Sequence, residues 1–124
     1  MLKGEMQAGE IKAIGKHIYG NLYGCERNKL EDIVFLKNLV IKAIEIAKAK
    51  LVSVETYSFE GYCAAIGVIL ESHVSIHAWP SLEYATVDVF TCGNTNPEAA
   101  FNFIIEMLKP KKYVKNYVDR SNEL

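Results

Sequence analysis

Two stretches of this 124-residue chain carry apolar residues at helical spacing, and each leaves one stripe that needs a surface to cover it. In the first, Ile33, Leu36, Val40, Ala43, Ile44 and Ala47 follow Asn28, a good N-cap residue. In the second, Asn96 as cap and Pro97 as first helical residue precede Ala100, Phe101, Ile104, Ile105 and Leu108, and Pro110 stops the run. Short amphipathic helices gain most of their stability from the face they bury, so the rest of the chain has to supply an apolar sheet.

The remaining segments read as strands. Residues 16–23 mix aromatic and branched side chains between Gly15 and Gly24, and 51–59 do the same before a turn at Glu60 and Gly61. Residues 62–70 form a short apolar run, 73–79 alternate until Pro80 stops them, and a last strand is expected over 113–118. Over 84–92, Ala85, Val87 and Val89 face opposite to Thr86, Asp88, Phe90 and Cys92. The first dozen residues show no period and read as a loose lead-in. Strand, helix, three or four strands, helix, strand predicts an α+β fold: a two-layer sandwich of a mostly antiparallel sheet with two helices on one face, in a single domain spanning 1–124.

Charge and composition exclude several partners. The 14 basic and 15 acidic residues are interspersed and sum to a net charge of -1, which offers no field for nucleic acid. The longest apolar stretch, 63–70, is far short of the roughly 20 residues that span a bilayer, so no membrane is expected and the protein reads as cytoplasmic. Cys25, Cys63 and Cys92 have neither the pairing of zinc sites nor the density of a disulfide scaffold, so no metal is expected and at least one thiol is free.

Chemistry-bearing residues concentrate in Glu71-Ser72-His73-Val74-Ser75-Ile76-His77-Ala78-Trp79-Pro80, two hydroxyls, two imidazoles and a carboxylate directly after an apolar strand. They can be turn serines and half-buried strand histidines with carbonyl partners. A serine hydroxyl can equally attack its own upstream carbonyl when the peptide is strained and a base is at hand. In a regular strand His73, Ser75 and His77 share a face that Ser72 joins only if the chain bends, so periodicity does not choose a nucleophile.

The stretch ESHVSIHAWP followed by YATVDVFTCG resembles the signature of the prokaryotic S-adenosylmethionine decarboxylases. Gly15-Lys16-His17 and Tyr23-Gly24-Cys25 resemble that family's GRH and YxC segments, so the likeness runs from Ile14 to Leu108. The resemblance implies self-cleavage between Glu71 and Ser72 into chains 1–71 and 72–124, with Ser72 becoming a covalent pyruvoyl cofactor. It implies that His77 draws the α-carbon proton during processing, and that Cys92 protonates the substrate after carbon dioxide leaves. The implied enzyme is a carboxy-lyase: a substrate amine condenses with the pyruvoyl ketone, which takes up the electrons of the departing carboxylate, and the cleaved protomers pair as a homodimer.

S-adenosylmethionine is the expected substrate, and its product would be the aminopropyl donor for spermidine. Its adenine and sulfonium call for aromatic faces, for which Tyr57, Phe59 and Tyr62 are candidates. Arginine is the alternative within the resemblance, and Glu83 or Asp88 would meet its guanidinium. The pattern departs from the family's in three places. No serine stands in Tyr62-Cys63-Ala64-Ala65, where relatives have a hydroxyl thought to assist processing and where Cys63 or a water would have to substitute. Asn21 and Ser81 replace acidic residues. The missing hydroxyl leaves open a further alternative, a non-cleaving, non-catalytic chain that partners a paralogous decarboxylase.

Overall fold

The computed structural model describes residues 12–123. In chain order these form β1 (Lys12–Ala13), β2 (Gly15–Tyr23), α1 (Arg27–Leu30), α2 (Ile33–Ile46), β3 (Lys50–Phe59), β4 (Tyr62–Leu70) and β5 (Ser72–Trp79). A 3-10 turn (Pro80–Leu82), β6 (Tyr84–Cys92), α3 (Pro97–Leu108), β7 (Lys112–Asp119) and β8 (Asn122–Glu123) complete the order. Most of the expected lead-in lies outside the described residues, and its end, Lys12–Ala13, pairs with Asn122–Glu123.

Six strands make one antiparallel sheet in the order β3-β4-β5-β6-β2-β7. α2 lies over β3, β4 and β5, α3 lies over β2 and β6, and the helices pack on each other. This is the expected two-layer α+β sandwich with both long helices on one face. Leu36, Val40, Ala43 and Ile44 of α2 and Ala100, Phe101, Ile104 and Leu108 of α3 join Ile18, Leu22, Val74, Ile76, Val87 and Val89 in a single core.

The helix starts follow local chemistry. Asn96 Oδ1 accepts from Ala99 N at 3.0 Å, and Pro97 opens α3, as the sequence indicates. At α2 the cap is Asp32, whose Oδ1 accepts from Phe35 N at 3.0 Å, and the expected cap Asn28 instead lies within the short α1. The physical reason is Leu30: it is fully buried, so the chain makes a separate turn to seat it, and Asp32 then offers the same capping chemistry one turn later. Among the described residues no helix is long and apolar enough to cross a membrane.

Candidate active site

The sheet face turned away from the helices carries the polar side chains of β2, β5 and β6. Three rows of side chains cross it. Val68, His73, Phe90 and His17 form one row, Ile66, Ser75, Asp88 and Tyr19 the next, and Ala64, His77, Thr86 and Asn21 a third. Beyond these an aromatic row runs through Phe59, Tyr62, Trp79, Tyr84 and Tyr23, with successive ring centroids 5.3 to 6.5 Å apart.

Ser72 opens β5 directly after a tight turn: Ile69 pairs with Ser72, leaving only Leu70 and Glu71 between the paired residues. Its φ is +119°, a region that disfavours side chains and costs on the order of 1–3 kcal/mol. This is the bend that a regular strand lacks, and it brings Ser72 Oγ to 3.5 Å from His73 Nδ1. Strain is thus stored beside an exposed Glu71, at the bond singled out in the sequence.

Cys92 ends β6 on the same face. Because Phe90 pairs with His73, Cys92 lies level with the Glu71–Ser72 end of β5. Burial pushes its thiol above its ordinary 9.0, and the Glu71 charge adds to this while Arg120 opposes it. The group is a protonated thiol at neutral pH.

Asp88, read from the sequence as a possible guanidinium ligand, is engaged by two histidines. Its Oδ1 lies 2.8 Å from His17 Nε2 and 3.3 Å from His73 Nε2. In the sequence His17 stands out only as part of a motif, because nothing in the spacing shows that β2 lies beside β6. Among the described residues no cluster of His, Cys, Asp and Glu side chains is arranged to hold a metal ion.

His77 stands apart from Ser72 within one chain. The two lie five positions apart along β5, about 16 Å at the rise of a strand, and His77 Nδ1 is hydrogen-bonded to the Tyr62 hydroxyl. The missing hydroxyl acquires a location too: Ala64 pairs with His77, so a serine there would sit beside the ring that Tyr62 now engages. Cys63 points to the other face, buried, with Sγ 3.9 Å from Ser58 Oγ, and cannot substitute.

The other candidates are dispersed. Phe59 and Tyr57 are exposed on the free face. Glu83 is exposed at the opposite end of β6 from Cys92, where its carbonyl accepts from Cys25 N at 3.0 Å, so the structure does not bring it to Ser72. Asn21 Oδ1 accepts from the Tyr84 hydroxyl at 3.0 Å, and Ser81 is exposed in the 3-10 turn.

Fold and site together define an α+β sandwich whose free sheet face presents a strained serine flanked by histidine and thiol. The sequence model of the S-adenosylmethionine decarboxylase family matches residues 16–121. The arginine decarboxylase proenzyme of Hyperthermus butylicus is 48% identical over 97% of this chain and 87% of its own length. The S-adenosylmethionine decarboxylase proenzyme of Pyrobaculum neutrophilum is 49% identical over 92% of this chain and 96% of its own. Among solved structures, the adenosylmethionine decarboxylase of Aquifex aeolicus superposes with a TM-score of 0.80 at 32% identity, covering 87% of this chain and 91% of that one. The chain belongs to the S-adenosylmethionine decarboxylase family, and it is a decarboxylase, a carboxy-lyase.

Proposed function

We propose that the chain cuts itself between Glu71 and Ser72, converts Ser72 into a pyruvoyl group, and decarboxylates S-adenosylmethionine as a homodimer. The observation that carries this reading is Ser72 itself, strained at φ +119° in a two-residue turn with a histidine at its hydroxyl and Cys92 level with it. The residues fit the group: cleavage relieves the strained turn and leaves the new terminus on the free face. When formed, the pyruvoyl supplies an electron sink for the departing carboxylate. Cys92 holds the proton that replaces carbon dioxide, and burial keeps it on sulfur.

His77 belongs to processing, where it takes the Ser72 α-proton from the ester so that elimination frees Glu71. Since His77 and Ser72 of one chain are about 16 Å apart along β5, this step requires the histidine of a second copy laid on the free face. The aromatic row beside His77 then arrives at the same site. Tyr62 and Trp79 would offer faces to an adenine and a sulfonium. In that case the product is the aminopropyl donor for polyamine synthesis. Arginine is the second reading, favoured by the names of several relatives nearly as similar in sequence.

The test is the intact mass of the denatured protein, repeated after borohydride treatment with each candidate substrate, together with parallel carbon dioxide release assays. Separation into 1–71 and a blocked 72–124 that captures S-adenosylmethionine is the expected result. Capture of arginine instead would move the substrate. A chain left whole after prolonged warming would make it a non-catalytic partner.

A further inference from the structure

The Ser72 hydroxyl is not alone at the turn. Asp88 of β6 lies between His73 of β5 and His17 of β2, and its Oδ1 accepts from both rings. Burial pushes the Asp88 carboxyl up, but the hydrogen bonds from His73 and His17, and the positive charge these rings carry in the acid range where a carboxyl titrates, outweigh it and hold the group below the usual carboxylate range. Asp88 is therefore ionised, and a carboxylate accepts hydrogen bonds without donating any. Each histidine must then carry its hydrogen on Nε2, which leaves the lone pair of the neutral ring on Nδ1. In His73 that lone pair meets Ser72 Oγ at 3.5 Å, the loose separation usual for a base before its reaction begins.

Packing holds the rings in place as well. Phe90 is the register partner of both His73 and His17, with ring centroids 5.9 and 5.5 Å away, and the Arg120 guanidinium lies 4.1 Å over the Phe90 ring. The connectivity Ser72, His73, Asp88 is that of a hydroxyl, a base and an orienting carboxylate, with His17 as a second donor on the carboxylate.

The geometry points to His73 as the base that takes the Ser72 proton in the first step of self-cleavage, with Asp88 and His17 as positioning residues that fix its tautomer. The inference rests on the self-processing reading and divides its labour between the two imidazoles. The proton of the Ser72 hydroxyl passes to His73 Nδ1 as Oγ bonds to the Glu71 carbonyl carbon. The Glu71–Ser72 carbon–nitrogen bond then breaks, His73 returns the proton to the departing nitrogen, and an ester and a free amine remain. His77 acts only afterwards, on the α-carbon proton.

Full-length His73→Ala, Asp88→Asn and His77→Ala chains separate the two steps when intact mass is followed with and without hydroxylamine, and thermal denaturation checks folding. His73→Ala is expected to cleave about 10²- to 10⁴-fold more slowly than wild type. Its bond stays an amide that hydroxylamine leaves whole, and added imidazole restores cleavage. His77→Ala is expected to stop at an ester that hydroxylamine cuts. Asp88→Asn slows cleavage by at least about tenfold, because the ring is free to take the wrong tautomer. Asp88→Glu recovers part of that loss, and Asp88→Asn adds nothing once His73 is gone. A His73→Ala chain that cleaves at the wild-type rate, or that accumulates the ester, overturns the assignment. So does an Asp88→Asn effect that persists undiminished without His73. A wild-type chain that never cleaves overturns the self-processing reading itself, before any variant is made.

Discussion

Cys92 owes its chemistry to its place on β6. A thiol at the end of a strand, half-buried and level with Glu71, is held above its ordinary 9.0, first by burial and then by the Glu71 charge, with Arg120 opposing. The protonated form therefore persists through neutral pH, and decarboxylation by the processed protein should hold its rate there and fall only in the alkaline range, at higher pH than an ordinary thiol would give. Cys92→Ser keeps the shape but replaces the thiol with a hydroxyl, a far weaker acid. Such a chain should cleave normally at Ser72 yet decarboxylate about 10²- to 10⁴-fold more slowly. Intact mass and carbon dioxide release measured on the same sample separate the two effects. A Cys92→Ser chain that decarboxylates at the wild-type rate would remove the thiol from the mechanism.

Between elements, two glycines set how closely the layers and strands approach. A side chain at Gly67 of β4 would place Cβ 2.5 Å from Ile44 Cδ1 and 2.9 Å from Val40 Cγ1, the underside of α2. Ile44 Cδ1 ends a side chain that can turn aside but β-branched Val40 is stiff, so Gly67→Ala should destabilise by about 1–3 kcal/mol as the helix shifts outward. At Gly20 of β2 the added Cβ would lie 1.9 Å from the Val114 carbonyl oxygen, which is backbone and cannot rotate away. Gly20→Ala should therefore cost more than Gly67→Ala and loosen β7. Thermal denaturation of the two variants side by side tests that order, and equal midpoints would contradict it. Neither contact is readable from spacing alone, because each depends on which strand lies under which helix. What spacing does carry is the alternation within one strand: Ala85, Val87 and Val89 are buried under the helices while Asp88, Phe90 and Cys92 face away. It also carries the α3 cap at Asn96 and Pro97. The placement of β2 between β6 and β7 joins segments far apart in the chain, and with it the His17–Asp88 contact stayed out of reach. The bend at Ser72 was equally hidden, since a positive φ at a serine opposes local preference and is imposed by the turn around it.

At the scale of the whole molecule, the two faces of the sheet differ in completeness. One is closed by α2 and α3. The other leaves Tyr19, Tyr57, Phe59, Val68, Val114 and Val118 exposed around the polar rows, an apolar surface of the kind that marks an interaction site. Under the proposed mechanism a second copy is the occupant, because His77, the imidazole assigned to the elimination step, lacks a Ser72 within reach in its own chain. A two-fold interface is self-complementary: if Ser72 meets the partner's His77, the partner's Ser72 meets His77 in return. Trans-complementation follows from this symmetry. Ser72→Ala chains have no nucleophile and His77→Ala chains stop at the ester, so neither yields the finished pair of fragments alone. Co-expressed, they form a mixed dimer in which the intact Ser72 of the His77→Ala chain faces the intact His77 of the Ser72→Ala chain. One site in that dimer is whole. The His77→Ala chain should then be processed fully to 1–71 and 72–124, while the Ser72→Ala chain stays uncut, and a mass difference between the two chains tells them apart. Fragments from neither chain, in a sample shown by sedimentation to contain the mixed dimer, would place His77 and Ser72 in the same protomer's chemistry and remove the reason for a shared site.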